Sequence, residues 1–367
     1  MEEAKIQRLV QAAICSPSPG NCQPWSFEWD GRALHVFHRA SHARLASDHL
    51  SIMSLIGLGM VVEVIEIAAS CEQLEASTTV LVPDRHGAVA VVDREEWAVV
   101  SLPEGSRQPD PMAPEIPRRC SDRRPCKGGT LQDPVFDELR AMSRRYPGSA
   151  LHFQDRYPDE LLTWLATSLR MYNWFKAFWR DYGAWLRLTE RSVQRTRSGI
   201  GMRATGTPLS TALLEWAQYH FWPLNLLLRK PAPLSEVTDM LSGRAGMGCI
   251  SIDPHSPSRV IEAGRLAFRI WLRLGMEGYA VWPLGYYTTH SSVVALGGPP
   301  AGMPPDVESE FRRGPDVLRR AFGIDATRLP IWLFSAGIAP GRMPDSHRTL
   351  RRPLEQCYRS TAGSHPA

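Results

Sequence analysis

The chain has 367 residues, of which 43% are hydrophobic and 22% are charged. This is the composition of a globular protein, and it excludes a disordered chain, a collagen-like chain and a small disulfide scaffold. Its 42 basic and 38 acidic side chains give a net charge of +4, too mild for a dedicated nucleic-acid-binding protein. The length predicts two to three average domains.

The first third of the chain predicts a helix, a hairpin, a long apolar helix and a second pair of strands. Apolar residues three or four positions apart predict the first helix, and a proline-rich loop ends it. Alternating residues on either side of Asp30-Gly31 predict the hairpin. Asp48 is placed to cap the long helix. The predicted elements are a helix over 6–13, strands over 25–29 and 33–38, a helix over 51–71, and strands over 78–82 and 88–92.

Five prolines between residues 103 and 117 indicate a linker, so we expect a first half at 1–110 and a second half at 116–367. When Gly59 is aligned with Gly264, apolar residues of the two long helices coincide, which predicts that the halves are related units. The elements predicted for the second half are a helix over 134–145, a strand over 149–153, a helical stretch over 160–190 broken near Gly183, a strand over 249–252, a helix over 260–276, and strands over 279–284 and 329–337.

Residues 160–246 differ from the rest of the second half. Six of the twelve tryptophans lie within this stretch, which predicts an inserted helical lid; the alternative is that they are ordinary core aromatics. Five of its arginines are expected on an exposed face of the lid: Arg187, Arg191, Arg195, Arg197 and Arg203.

Two apolar stretches, residues 50–62 and 209–228, are similar to membrane spans in composition. The first is too short, and polar residues and Pro223 interrupt the second, so both are predicted to be buried helices. The chain shows no export signal. Its seven cysteines are scattered and contain no CxxC pair, which favours reduced thiols in the cytoplasm over disulfides or a zinc site.

The loop at residues 16–25 is the most informative candidate site. Ser18, Asn21 and Gln23 offer a hydroxyl and two amides, and each amide both donates and accepts hydrogen bonds. Such a set suits the edge of a planar heterocycle such as a flavin, a purine or a pteridine. The alternative is a loop held by its own Asx and Ser turns.

Two arginine-rich segments offer a binding site for phosphate. Arg119, Ser121 and Arg123 alternate along the chain just after the linker, and Arg351 and Arg352 lie near the C-terminus. Guanidinium groups bind phosphate in a bidentate manner. The alternative for both segments is a solvated basic surface.

Together these segments resemble the FMN-dependent nitroreductase-like family. Residues 17–25 are similar to its P-S-x-x-N-x-Q-P-W loop, and residues 119–123 are similar to its R-x-S-x-R/K start, which binds the ribityl phosphate. The helix over 263–275 leading into 279–285 looks like its core helix and glycine turn. In this chain the loop comes before the arginine segment, as in the long, internally fused, pseudo-dimeric subgroup.

The resemblance implies an α+β nitroreductase-like fold, with two related halves in one chain and a helical lid insertion. It implies a flavoprotein that transfers hydride through FMN to or from a small organic substrate, aromatic or peptide-derived, with NADH or NADPH as a transient reductant. The cofactor-binding residues that it implies are Pro17, Ser18, Asn21, Gln23, Arg119, Ser121, Arg123, Pro283, Leu284, Gly285, Arg351 and Arg352.

Other functions stay open at this point. The chain could bind and sequester FMN without turnover, dehydrogenate a biosynthetic intermediate, or serve as a non-catalytic interaction module. The histidines show no metal-binding pattern, and no catalytic acid or base is identified. We expect no metal, nucleic acid or membrane, and either a monomer with an internal pseudo-dimer or a homodimer.

Overall fold

The computed structural model describes residues 2–43, 46–48, 50–82, 93–205, 209–227, 229–253 and 256–362. In this part of the chain the protein is a mixed α+β fold with 48% helix and 19% strand, so the predicted α+β class is confirmed. The strand predicted over 88–92 lies outside the described residues.

Among the described residues of the first half are two α-helices and four strands. Asp48 caps the second helix, as predicted, because its carboxylate accepts hydrogen bonds from the amides of Met53 (2.8 Å) and Ser54 (2.9 Å). The elements are α1 (Glu3–Ile14), β1 (Trp25–Trp29), β2 (Ala33–Arg39), α2 (Ile52–Cys71), β3 (Ser77–Val80) and β4 (Asp93–Ser101).

The second half carries many more helices. Its elements are α3 (Pro134–Ser143), β5 (Ser149–Gln154), α4 (Asp159–Met171), α5 (Lys176–Trp185), β6 (Leu186–Arg187), α6 (Glu190–Thr196), β7 (Ile200–Gly201), α7 (Met202–Thr205), α8 (Leu209–His220), α9 (Pro223–Leu227), α10 (Leu234–Leu241), β8 (Gly246–Ile252), α11 (Pro257–Met276), β9 (Tyr279–Pro283), α12 (Gly285–Gly297), α13 (Pro305–Phe322), β10 (Leu329–Ile338), α14 (Leu354–Cys357) and β11 (Tyr358–Ser360).

The two larger sheets repeat one topology. The antiparallel order is β1-β2-β4-β3 in the first half and β5-β8-β10-β9 in the second. In both halves a helix precedes the first strand, and a helix of 20 residues joins the second strand to the third. At the chain end β11 adds to the first sheet, parallel to β1, with Tyr358 opposite Phe27. The C-terminal segment therefore completes the sheet of the first half.

The long helices α2 and α11 cross in the core at Gly59 and Gly264. A Cβ on Gly59 would lie 2.0 Å from the carbonyl oxygen of Ile261, and a Cβ on Gly264 would lie 2.2 Å from that of Ile56. Glycine at both positions therefore allows the two backbones to touch. Helix α2 is long and apolar enough to cross a membrane, but 89% of its apolar window is buried inside the protein, as predicted for residues 50–62.

A buried ion cluster reinforces this crossing. The fully buried Glu63 of α2 accepts hydrogen bonds from Arg265 (2.7 Å) and Arg269 of α11. Arg269 also donates to Asp110 at 2.9 Å, so the proline-rich segment packs onto the crossing. Met112 of that segment is buried as well.

Several expectations for the second half were wrong. The helical stretch over 160–190 does break at the end of α5, at Trp185, two residues past the position predicted near Gly183, but it also breaks at Tyr172–Trp174 and Phe175, where no break was predicted. Residues 209–228 are not a buried helix, because α8 and α9 expose much of their apolar surface. The tryptophans divide: Trp164 and Trp179 are core residues, whereas Trp216 is exposed.

Candidate functional site

The loop after α1 has an unusual backbone. Gly20, Asn21 and Gln23 have positive φ angles of 54°, 54° and 51°, which non-glycine residues rarely adopt. The hydroxyl of Ser18 accepts a hydrogen bond from the amide of Gln23 at 2.9 Å and so closes the loop. Such backbone conformations persist only where surrounding contacts impose them.

The Asn21 side chain joins three segments. Its Nδ2 donates to the carbonyl oxygens of Gly199 at 3.0 Å and Leu350 at 2.9 Å. Its Oδ1 accepts a hydrogen bond from Nη1 of Arg351 at 2.5 Å. Because Asn21 is buried, these contacts account for both ends of its amide.

The Gln23 side chain is fully buried and joins the same three segments. Its Nε2 donates to the carbonyl oxygen of Arg197 at 2.9 Å, and its Oε1 accepts from the amide of Arg352 at 2.8 Å. Both amides thus use the mixture of donor and acceptor that suits a heterocycle edge. In this conformation their partners are backbone groups, except that the Asn21 oxygen accepts from the Arg351 side chain.

Residues 185–205 form a cover segment over the loop. The indole of Trp185 lies directly on Gly20, where a Cβ would be 2.1 Å from the ring. Arg197 donates to the carbonyl oxygen of Arg351 at 2.8 Å, and Arg123 donates to that of Ala204 at 3.2 Å. The insertion is therefore fastened to the site that the sequence singled out.

This arrangement corrects the expectation for the arginines of the insertion. Arg197 is half-buried and bound to the C-terminal segment, and Arg187 is half-buried and donates to Thr196 at 3.0 Å. The other three are exposed as expected: Arg191, Arg195 and Arg203.

Arg119 and Arg351 meet at the C-terminal end of α1. Their Nη2 atoms donate to the carbonyl oxygen of Cys15 at 3.2 Å and 3.5 Å. The guanidinium of Arg119 lies 4.4 Å from the centre of the Trp271 ring, and Arg119 is only 7% exposed. The Nε atoms of both arginines are buried without a hydrogen-bond partner. Two donors therefore stay available at this point.

The charges of these two arginines are poorly compensated. In the described part of the chain, no carboxylate forms an ion pair with either one, and the partial negative charge at the end of α1 is their nearest counterpart. Burial, together with the charge of Arg351, lowers the pKa of Arg119 to about 9. Burial lowers the pKa of Arg351 to about 10. Both remain charged at neutral pH, so the site attracts an anion.

The other residues predicted for the site lie around Arg119 and Arg351. The amide of Asp122 donates to the carbonyl oxygen of Val281 at 3.0 Å, so residues 119–123 run beside β9. Burial lowers the pKa of Arg123, which lies near Tyr182 and Tyr286. Its neighbour Ser121 is half-buried, as is Pro17 at the loop.

The turn between β9 and α12 is held by the second sheet. Pro283 ends β9, Leu284 is fully buried with its amide on the carbonyl oxygen of Leu333 at 2.7 Å, and Gly285 begins α12. A Cβ on Gly285 would meet nothing closer than Trp332 at 3.6 Å. Packing against the protein therefore does not require glycine there.

Several residues of the site had no clear signal in the sequence. Cys15, Arg197 and Gly199 contribute backbone carbonyl groups, which every residue type carries. Trp185 contributes its ring to Gly20, and the only hint was the surplus of tryptophan in the insertion. Arg348, which donates to the carbonyl oxygen of Arg119 at 3.1 Å, belongs to the same C-terminal basic run as Arg351.

Comparison with known proteins adds no assignment to this geometry. No protein-family model matches the chain, and no curated protein sequence matches it. The function of the site is therefore inferred from its own residues: the buried Arg119 and the half-buried Arg351, both poorly compensated, beside a loop with two buried amides.

Proposed function

We propose that the protein is an FMN-dependent oxidoreductase with an internally fused nitroreductase-like fold. The observation that carries the proposal is the pair of buried guanidinium groups of Arg119 and Arg351, which lack a carboxylate partner in the described part of the chain. They lie beside Asn21, in the loop that gave the family resemblance. A phosphate group would supply the missing negative charge.

The repeated topology supports the fusion. Both halves share one strand order, and Gly59 and Gly264 occupy matching positions where their long helices cross. Asn21 comes from the first half, whereas Arg119 and Arg351 come from the second. A site assembled from both halves is what an ancestral dimer would leave behind after fusion.

The residues divide by the part of FMN that they fit. Arg119 and Arg351 fit the phosphate, since each has a buried donor without a partner. The amides of Asn21 and Gln23 fit the ring edge chemically, but they would have to exchange their hydrogen bonds to the cover segment for bonds to the ring. FMN, when bound, would supply hydride transfer, with NADH or NADPH as the reductant.

The test is flavin binding followed by turnover. The purified protein is mixed with FMN and desalted, and its visible spectrum is recorded; we expect about one flavin per chain and oxidation of NADH or NADPH when an electron acceptor is added. An Arg119→Met, Arg351→Met double variant should retain far less flavin. A wild-type protein that retains no flavin after loading would contradict the proposal.

The cover segment favours a second candidate, an FMN-sequestering protein without turnover. Trp185 lies against Gly20, and Asn21 exchanges hydrogen bonds in both directions with Gly199, at 3.0 Å and 3.1 Å. Such a closed cover would keep nicotinamide away from a flavin beneath it. Flavin that is bleached by dithionite but not by NADH or NADPH would favour sequestration; rapid bleaching by a nicotinamide would favour the oxidoreductase.

A further inference from the structure

Helices α8 and α9 carry an exposed apolar surface, which we call the apolar hairpin (residues 209–227). Of twelve large apolar side chains that are exposed in the described part of the chain, seven lie between residues 213 and 234. They are Leu213, Leu214, Trp216, Tyr219, Phe221, Leu227 and Leu234. A clustered surface of this kind marks an interaction site, unlike isolated exposed leucines.

The exposure is large. Leu213 is 59% exposed, Trp216 is 46% exposed, Phe221 is 60% exposed and Leu227, near the end of α9, is 77% exposed. The hairpin itself is anchored to the protein, because Gln218 and Asn225 form a buried pair of hydrogen bonds at 3.1 Å and 2.9 Å.

The hairpin has basic neighbours. It packs on α5, where a Cβ on Gly183 would lie 2.0 Å from the Tyr219 ring. Lys176 and Arg180, also on α5, are exposed, and so is Lys230, three residues after α9. None of these three cations takes part in the ion pairs of the described residues. The surface therefore combines aromatic and aliphatic side chains with free positive charge.

Two acidic side chains in this region form ion pairs with arginines. Asp306 pairs with Arg229, whose guanidinium also lies 5.3 Å from the centre of the Trp174 ring. Glu236 pairs with Arg170 at 2.7 Å. Residues 176–185 and 209–234 together carry four basic side chains against two acidic ones, Asp181 and Glu215, a net positive charge that is complementary to an anionic surface.

We propose that the apolar hairpin docks the protein onto the surface of an anionic lipid bilayer. Trp216, Tyr219 and Phe221 are residue types that sit at the boundary of headgroup and acyl chain, and Lys176 and Lys230 would meet the lipid phosphates. A helix of 12 residues lies on a bilayer and does not span it. The sequence argument against a membrane span therefore leaves surface binding open.

The test is flotation of the full chain with vesicles of phosphatidylcholine, with and without phosphatidylglycerol. The wild-type protein should float with the anionic vesicles and much less with the neutral ones. A Trp216→Ser, Phe221→Ser, Leu227→Ser variant should lose about tenfold or more of its binding, because most of the inserted apolar area is removed. Each of Lys176→Gln and Lys230→Gln should lower binding to anionic vesicles roughly fivefold.

A matched control replaces three exposed apolar residues elsewhere: Leu81→Ser, Met276→Ser and Leu296→Ser. This variant should float like the wild type, and far-UV circular dichroism should show that both triple variants are folded. Absence of wild-type flotation, or equal loss in both triple variants, would overturn the proposal. So would a wild-type dimer that the hairpin variant converts to monomer without any vesicle binding, since a second copy would then cover the surface.

Discussion

Two clusters of buried and half-buried arginines in this protein differ in their partners. At the crossing of α2 and α11, Arg265 and Arg269 are matched by carboxylates, among them Glu63 and Asp110. Burial by itself lowers the pKa of Arg269, but the charges of Glu63, Tyr146 and Asp110 raise it above its ordinary value. In the candidate site the pKa values of Arg119 and Arg351 fall, mainly because burial is not offset by any carboxylate.

The difference separates a structural role from a binding role. Burying a guanidinium costs free energy, and carboxylates at the crossing offset that cost within the folded chain. At Arg119 and Arg351 that cost is offset only by uncharged partners, among them the carbonyl oxygen at the end of α1, the Trp271 ring and the Asn21 amide. Uncompensated buried charge of this kind is typical of a site whose ligand brings the opposite charge.

The largest effect is expected where the compensated cluster is broken. Glu63→Gln preserves the shape of a fully buried side chain but leaves Arg265 and Arg269 without its charge, so we expect a loss of about 3 kcal/mol or more in unfolding free energy. Urea denaturation measures the loss. Glu72→Gln, which breaks a pair with the largely exposed Arg8, should cost about 1 kcal/mol or less. Equal losses would contradict the account.

The helix crossing that holds this cluster should be nearly as sensitive. In Gly264→Ala the new Cβ would lie 2.2 Å from the carbonyl oxygen of Ile56, so the backbones must separate, at a cost of about 2 kcal/mol. In the control Gly275→Ala the Cβ would meet the flexible Glu115 carboxylate at 2.8 Å, which can move away. Thermal denaturation of both variants checks the difference, and a destabilisation confined to Gly275→Ala would be evidence against the crossing.

Acid should destabilise the fold at His42, which contacts Gln23 and Arg352 of the candidate site. Burial, together with the charge of Arg352, lowers the pKa of His42 to about 4, below the ordinary value of about 6.5. Between these two pH values His42 is protonated in the unfolded chain but not in the folded one. The unfolding free energy therefore falls as the pH drops from about 6.5 to 4. Urea denaturation at pH 7 and pH 5 gives the difference in unfolding free energy between the two pH values. His42→Gln should make that difference smaller by about 1 kcal/mol. His38, whose pKa burial also lowers to about 4, should still contribute to the dependence in that variant.

The smallest effect on stability is expected at the candidate site itself. Arg119→Met, measured without phosphate or flavin, should change the unfolding free energy by about 1 kcal/mol or less, or increase it, since it removes an uncompensated buried charge. The contrast with Glu63→Gln is the sharpest form of the comparison. If Arg119→Met lowered the unfolding free energy as much as Glu63→Gln does, Arg119 would have a structural role.

How far the sequence predicted the fold depended on the kind of signal. Helix periodicity and strand alternation predicted α1, α2, α11 and the first hairpin, because one face of each packs against the core. The break after α4 carries no proline, so nothing in the pattern indicated it. The apolar composition of residues 209–228 predicted burial, but composition does not show whether the chain supplies a surface to cover them.

The candidate site was predictable where side chains define it. Asn21 and Arg351 are 330 positions apart, yet their motifs placed them in one site, and the structure brings them together. The cover segment was not predictable, because it contacts Asn21 and Gln23 through the backbone carbonyls of Gly199 and Arg197. Their roles as FMN ligands stay a prediction.

The most direct test of the central claim, that Arg119 and Arg351 bind the phosphate of a flavin, is a calorimetric titration of the wild-type protein with FMN and with riboflavin. The two ligands share the ring and differ in the phosphate. We expect FMN to bind at least tenfold more tightly, and we expect the Arg119→Met, Arg351→Met variant to bind both ligands alike. Equal affinity of the wild-type protein for FMN and riboflavin, or no binding of either, would contradict the account.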